Sequence, residues 1–119
     1  MPWLARSLLL AGALVASGAG AAPRAQSELE CGIAADMAVV AKSLAAEQVA
    51  RAKADSIMSR IYDVASSTRG RELMKEILDA AYSRGNAAAG GSAQKFAQNL
   101  YTTCVKSGGD MDPVLGRRL

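Results

Sequence analysis

The sequence predicts an all-α protein, a compact bundle of about four helices closed by one disulfide and preceded by an N-terminal signal peptide. Two observations carry this prediction. Apolar residues recur at intervals of three and four along most of the chain, which is the period of an amphipathic helix. The only two cysteines, Cys31 and Cys104, lie near the two ends of this periodic region. A bond between them would enclose nearly the whole fold in one covalent loop.

Residues 1–21 have the three-part layout of a secretory signal peptide. Arg6 supplies a positive charge, residues 7–16 form an apolar run, and small residues at 19 and 21 predict cleavage after Ala21, with Ala22 as the neighbouring alternative. The run of apolar or small residues from 7 to 22 is shorter than the roughly 20 residues that span a bilayer, which favours cleavage over a retained anchor. The chain starting at Ala22 is therefore expected in the periplasm or secreted, with no membrane contact after cleavage.

Export favours a structural disulfide between Cys31 and Cys104 over a redox pair or a pair of metal ligands. The chain has no histidine, so a tetrahedral zinc site would need carboxylates to complete it, which is uncommon for structural zinc. Asp110 and Asp112 offer too few oxygen ligands for a calcium loop. We therefore expect neither a metal site nor a cofactor.

The first helix is predicted from 28 to about 46, because Ser27 and Glu30 have the spacing of a capping box. Near 47–49 the apolar period shifts by roughly a quarter turn, which predicts a tight turn or a kink before a second helix at 50–65. A third helix at 69–84 would be capped by Thr68 and ended by Gly85, and a fourth would run from its cap at Ser92 to about 106. The expected core positions are Ile33, Met37, Val40, Leu44, Ala54, Ile57, Ile61, Val64, Leu73, Met74, Ile77, Leu78, Ala81, Phe96, Leu100 and Cys104.

These assignments divide the chain into four parts. The signal peptide at 1–21 is followed by a mobile arm at 22–26 and by the helical domain at 27–106. Residues 107–119 lack periodicity and contain Pro113, so they are expected to form a flexible tail.

Charge and motif content weigh against two classes of function. The net charge is +3 for the whole chain and becomes +2 when Arg6 leaves with the signal, and basic residues alternate with acidic ones along the helices. This pattern does not favour a nucleic-acid partner. The sequence also has no histidine, no catalytic cysteine signature and no phosphate-binding glycine loop, so we do not expect an enzyme.

Three tyrosines, Tyr62, Tyr82 and Tyr101, lie towards the ends of the second, third and fourth predicted helices. Tyrosine is enriched at protein interfaces, so they are candidate partner contacts. The alternative is that each is a boundary side chain whose ring packs while its hydroxyl reaches water.

The early Cys31, the pairs Ile61-Tyr62 and Ala81-Tyr82, and the closing Tyr101-Thr-Thr-Cys104 resemble the pattern of small exported bacterial proteins with a disulfide-closed helical fold and no assigned function. The resemblance implies no catalytic or binding residue. The architecture is also similar to that of periplasmic acid-stress chaperones and periplasmic immunity proteins, although fold does not determine function. The leading hypothesis is an interaction module that binds another periplasmic protein. The alternatives are a stress chaperone that loosens in acid and, third, a carrier of a small ligand.

Overall fold

The computed structural model of the protein describes residues 24–63, 67–83 and 90–116. Within them the chain forms five helices, which are α1 (Glu28–Ala46), α2 (Arg51–Tyr62), α3 (Thr68–Tyr82), α4 (Ala93–Lys106) and α5 (Asp112–Leu115). No strand occurs in this part of the chain, so the predicted all-α class is confirmed. The expected signal peptide at 1–21, its cleavage site and the expected helix stop at Gly85 lie outside the described residues.

Helix α1 is the central element, because it packs most extensively against α4 and also packs against α3 and α2. Its buried side chains are mostly alanine, namely Ala34, Ala38 and Ala41, together with Cys31 and Met37. The short side chains let α4 approach closely, and the larger volume comes from the facing helices, where Ile77, Leu78, Phe96 and Leu100 are fully buried.

The predicted buried face of α1 is wrong by about a quarter turn at 100° per residue. Ile33, expected in the core, is 42% exposed, and Val40 and Leu44 are only half-buried. The prediction favoured the largest apolar residues, whereas the close α1–α4 packing selects the alanine side of the helix. In α2 the buried residues are Ala54 and Met58, while the expected core residue Ile61 is 55% exposed.

The chain reverses between α1 and α2 through residues 47–50, so the predicted break is a true turn. Gln48 adopts a left-handed backbone with φ of 61°, and the Val49 amide donates to the Leu44 carbonyl at 3.0 Å. Two contacts from α3 hold this turn. The Tyr82 hydroxyl donates to the Val49 carbonyl at 2.6 Å, and Arg51 forms an ion pair with Asp79.

Three helices begin at serine caps. Ser27, Ser67 and Ser92 each accept a hydrogen bond from the backbone amide three residues later, which satisfies a donor that the helix itself leaves free. The caps at Ser27 and Ser92 confirm the predicted ones. Ser67, not Thr68, caps α3, because Thr68 is already its first helical residue.

The ends of α2 and α3 also differ from the prediction. Helix α2 ends at Tyr62 rather than at 65, since Asp63 turns into a left-handed conformation with φ of 47°. Helix α3 ends at Tyr82, with Ser83 in extended backbone, two residues before the expected end at 84.

The disulfide between Cys31 and Cys104 is present and joins the first turns of α1 to the last turn of α4, with the two Cα atoms 5.7 Å apart. Both cysteines are buried in the core. A disulfide of this kind indicates an oxidising location outside the cytoplasm.

Both regions expected to be mobile are held in the fold where the structure describes them. Residues 24–26 lie beside the turn after α4, and the Ala25 amide donates to the Gly109 carbonyl at 3.0 Å. Beyond that turn, Met111, Val114 and Leu115 are buried, and α5 packs on α3 and α4. The expectation of a flexible tail from 107 onwards is therefore wrong for residues 107–116, because these three apolar side chains complete the core. None of the helices described is long and apolar enough to cross a membrane.

Candidate functional site

A groove of about 250 Å³ lies where α1, the end of α2 and the beginning of α3 meet. Its apolar lining consists of Ile33 and Met37 from α1, Tyr62 from α2 and Leu73 from α3. These four side chains define what we call the apolar groove. Its polar border comprises Arg24, Glu30, Asp63, Ser67, Arg69 and Gly70.

The groove follows directly from the way α1 packs. Because the alanine side of α1 faces α4, the bulkier side chains one-quarter turn away are left facing outwards. Leu29 and Ile33, one turn apart on the same side of α1, are 74% and 42% exposed. Ile61, the neighbour of Tyr62, is 55% exposed. The apolar groove is thus accompanied by exposed aliphatic side chains on two helices.

Tyr62 is fixed in the groove by a hydrogen bond to another helix. Its hydroxyl donates to Asp36 of α1 at 2.6 Å. Burial of the phenol, and then the neighbouring Asp36 carboxylate, raise the pKa of Tyr62 well above its usual value. The phenol therefore stays protonated and keeps donating to Asp36 at neutral pH.

A polar cluster closes one end of the groove, and its centre is Arg69. The Nη2 atom of Arg69 lies 2.6 Å from Glu30 Oε1 and 3.1 Å from the carbonyl oxygen of Arg24. The same Glu30 oxygen accepts from the Gln26 amide at 2.8 Å. We refer to Glu30, Arg69 and these two backbone groups as the Glu30–Arg69 cluster.

The cluster modifies the expected capping box. In a capping box the carboxylate accepts from the backbone amide of the cap residue, here Ser27, whereas Glu30 accepts from the backbone amide one residue earlier, at Gln26. The hydrogen bond from Arg69, followed by that from the Gln26 amide, lowers the pKa of Glu30 from its usual value. Glu30 therefore remains ionised in mildly acidic solution.

The three candidate tyrosines bond to three different segments. Tyr62 lines the apolar groove, whereas Tyr82 bonds the Val49 carbonyl in the α1–α2 turn, and burial raises its pKa. Tyr101 donates to Glu28 at 3.2 Å, and this hydrogen bond raises its pKa. Tyr62 is thus the only one of the three on the lining of the groove.

Sequence reasoning missed the other residues of this site. Ile33, Met37 and Leu73 are predicted as core residues, which is confirmed for the buried Met37, and Leu29 has no predicted role. One signal was available, since Ala34, Ala38 and Ala41 form a small-residue face about a quarter turn away on α1. That face can accept a closer helix than the Ile33 face can.

The groove combines an apolar lining with a pair of opposite charges at one end. The hydroxyls on its lining are already engaged, Tyr62 with Asp36 and Ser67 with the Gly70 amide. Within the described residues no group of three histidine, cysteine or acidic side chains could hold a metal ion. An apolar lining beside paired charges offers shape and burial to a ligand.

The fold and the groove define a small all-helical protein closed by one disulfide. Comparison of the chain with protein-family models, with curated proteins and with solved structures finds no match.

Proposed function

We propose that this is an exported, periplasmic or secreted, interaction module that binds another protein through the apolar groove. The observation that carries the proposal is the groove itself, together with the exposed Leu29 and Ile33 that continue its apolar surface along α1. Exposed large aliphatic side chains beside a groove are typical of surfaces that another molecule covers. The signal-peptide pattern and the disulfide support export.

The walls of the groove are well fixed, which favours binding without loss of conformational freedom. Tyr62 ties the end of α2 to α1 through Asp36, and Arg69 ties the start of α3 to α1 through Glu30. The disulfide holds α1 to α4 behind the groove. A partner would therefore meet a preformed surface.

The size of this groove suits apolar side chains that project from a protein partner. Its volume of about 250 Å³ is below the range of about 300–1,000 Å³ that encloses small ligands. The groove can accept one or two apolar side chains that project from a larger surface. A protein partner would also cover Leu29, which lies beyond the groove on α1.

The experiment is crosslinking in the native compartment, followed by purification of the tagged protein and of whatever is bound to it. Ile33→Asp places a charge on the lining of the groove, and Val105→Asp on α4 is the matched control because both side chains are 42% exposed. We expect one stoichiometric partner with the wild type and with Val105→Asp, and none with Ile33→Asp. Thermal unfolding must be alike for the two variants.

Equal capture by both variants would show that the groove is not the binding surface. Many weakly bound proteins, increasing in amount as the pH falls, would instead support the stress-chaperone alternative.

A further inference from the structure

We propose that the Glu30–Arg69 cluster holds the arm of residues 24–26 across one end of the apolar groove and releases it in acid, which lengthens the groove. This inference rests on the proposed function in one respect, namely that the groove is the binding site. The release of the arm itself can be measured without any partner.

Arg69 joins three separate segments at one nitrogen atom. It belongs to the first turn of α3, its Nη2 lies 2.6 Å from Glu30 of α1, and the same atom lies 3.1 Å from the Arg24 carbonyl in the arm. Glu30 in turn accepts from the Gln26 amide of the arm. The Glu30–Arg69 pair therefore holds the arm at the two residues that flank Ala25. Arg69 bonds Arg24, and Glu30 bonds Gln26.

The arm also forms one wall of the groove, since Arg24 belongs to the groove lining. On its other side the arm is held by the turn after α4, where Ala25 bonds Gly109 and the Arg24 side chain donates to the Gly108 carbonyl at 3.2 Å. When Glu30 loses its charge, the arm is held by the Arg69 bond to the Arg24 carbonyl and by this second attachment, and the weakened arm opens its Ala25–Gly109 bond more often. The wall at Arg24 then becomes free to move away from Ile33 and Met37.

Glu30 is the group whose charge decides whether the cluster holds. Arg69 of α3 faces it with positive charge, whereas the Arg24 side chain of the arm is bonded to the Gly108 carbonyl, and Asp63 at the end of α2 lies on the same groove. Glu28 of α1 is directed to Tyr101 of α4, and Asp36 of α1 to Tyr62 of α2. The chain has no histidine, so carboxylates are the side chains that gain protons as the solution becomes acidic.

The sign of the effect follows from the environment of Glu30. Arg69 and the Gln26 amide lower the pKa of Glu30 below its usual value of 4.5, so the charged, bonded form persists at neutral and mildly acidic pH. Protonation sets in only as the pH falls through that lowered value. The arm is thus held above about pH 4.5 and is released in stronger acid.

The test is amide hydrogen exchange followed by NMR, on the wild type and on Glu30→Gln, whose side chain has the shape of the protonated acid. Glu28→Gln is the matched control, because Glu28 lies on the same turn of α1 but bonds Tyr101. At pH 7 we expect Glu30→Gln to speed exchange of the Ala25 amide about fivefold after correction for intrinsic rates, as suits the loss of one charge-assisted bond. The control is expected to leave this rate unchanged.

Wild-type protein is expected to show exchange at Ala25 that rises progressively as the pH is lowered below 4.5, while the core amides of Ile77 and Leu100 stay protected. Arg69→Met keeps the apolar part of the side chain and should also speed exchange at Ala25 at pH 7. It provides the test if Glu30→Gln is poorly folded. An unchanged Ala25 rate in both variants would overturn the proposal. Simultaneous loss of protection at Ala25, Ile77 and Leu100 in acid would also overturn it, because that pattern reports global unfolding.

The dye anilinonaphthalene sulfonate tests the link between the arm and the groove. We expect more dye fluorescence with Glu30→Gln than with Glu28→Gln at pH 7, and loss of the difference when Ile33→Asp is added. Faster exchange at Ala25 without added dye binding would overturn the lengthening of the groove. These outcomes do not depend on partner capture. The release of the arm can therefore be confirmed even if no partner binds the groove, and a partner can bind the groove even if the arm is not released.

Discussion

Ala25 and Gly109 meet backbone to backbone, with the Ala25 amide donating to the Gly109 carbonyl at 3.0 Å. A Cβ atom at position 109 would lie 2.0 Å from the Ala25 carbonyl oxygen, closer than any real contact. Gly109 also has φ of +97°, a conformation that side chains disfavour. The junction between the start of the fold and the turn after α4 therefore requires glycine at this position.

Gly109→Ala is expected to lower the free energy of unfolding by about 2–4 kcal/mol, because it combines a backbone clash with an unfavourable φ. Urea denaturation measures the change. Gly108→Ala is the control, since φ at 108 is +64° but the nearest atom to an added Cβ is the Arg24 side chain at 3.7 Å. The control should lose only about 1–2 kcal/mol. Equal losses would show that the approach of Ala25 is not the cause.

Replacing both Cys31 and Cys104 with alanine is expected to lower the free energy of unfolding by about 4 kcal/mol on the chain-entropy model. The two residues are 73 positions apart, so the bond closes a long loop that spans more than half of the 119-residue unfolded chain. Urea denaturation measures this loss. Thiol labelling of freshly isolated protein should detect no free thiol before reduction, and two reactive thiols would contradict the bond.

Tyr82→Phe is expected to lower the free energy of unfolding by about 0.5–1.5 kcal/mol, because the half-buried Val49 carbonyl loses its hydrogen bond in the α1–α2 turn. Tyr101→Phe is the matched control, since its hydroxyl bonds an exposed Glu28 side chain. The control should change stability less. Thermal and urea unfolding of both variants measure the difference, and the opposite order would contradict the role of Tyr82 in the turn.

Alkaline titration should detect Tyr62 as the tyrosine most resistant to ionisation. Burial and the Asp36 carboxylate raise its pKa above the usual 10, so its contribution to stability is full below pH 10 and is lost as the pH rises through the folded-state pKa. Asp36→Asn should lower the pKa of Tyr62, as followed by phenolate absorbance. Asp55→Asn, elsewhere on α2, is the control and should leave it unchanged. No change with Asp36→Asn would show that the charge of Asp36 is not felt by the phenol.

The helices and the disulfide could be predicted because their signals are local. Serine caps, helical periodicity and the presence of only two cysteines are readable in the sequence, and Ser27, Ser92 and the Cys31–Cys104 bond are found as expected. The helix-capping error at Thr68 is a single residue, within the usual uncertainty of helix ends.

The buried face of α1 could not be predicted from local signals. Apolarity ranks Ile33 above Ala34, but the side that is buried depends on how closely α4 approaches, which is a property of two helices. The apolar groove needs three helices and the arm, so its residues do not form a pattern in the sequence. Tyr62 was its only member among the candidate contacts.

The burial of the C-terminal segment could have been predicted in part from the sequence. Met111, Val114 and Leu115 have the spacing of one helical face, and all three are buried. Pro113 argued for an irregular tail, yet proline is well tolerated in the first turn of a helix such as α5.

The alanines of α1 also bear on how this sequence can change over time. Ala34, Ala38 and Ala41 are completely buried, so any longer side chain there would push α1 and α4 apart. Accepted substitutions on this side are restricted to glycine, serine and other small residues. The outward-facing side of α1, with Leu29 and Ile33, carries no such restriction. Substitutions at the exposed residues can therefore change which partner the groove binds during evolution, while the packing of α1 on α4 behind it stays constant.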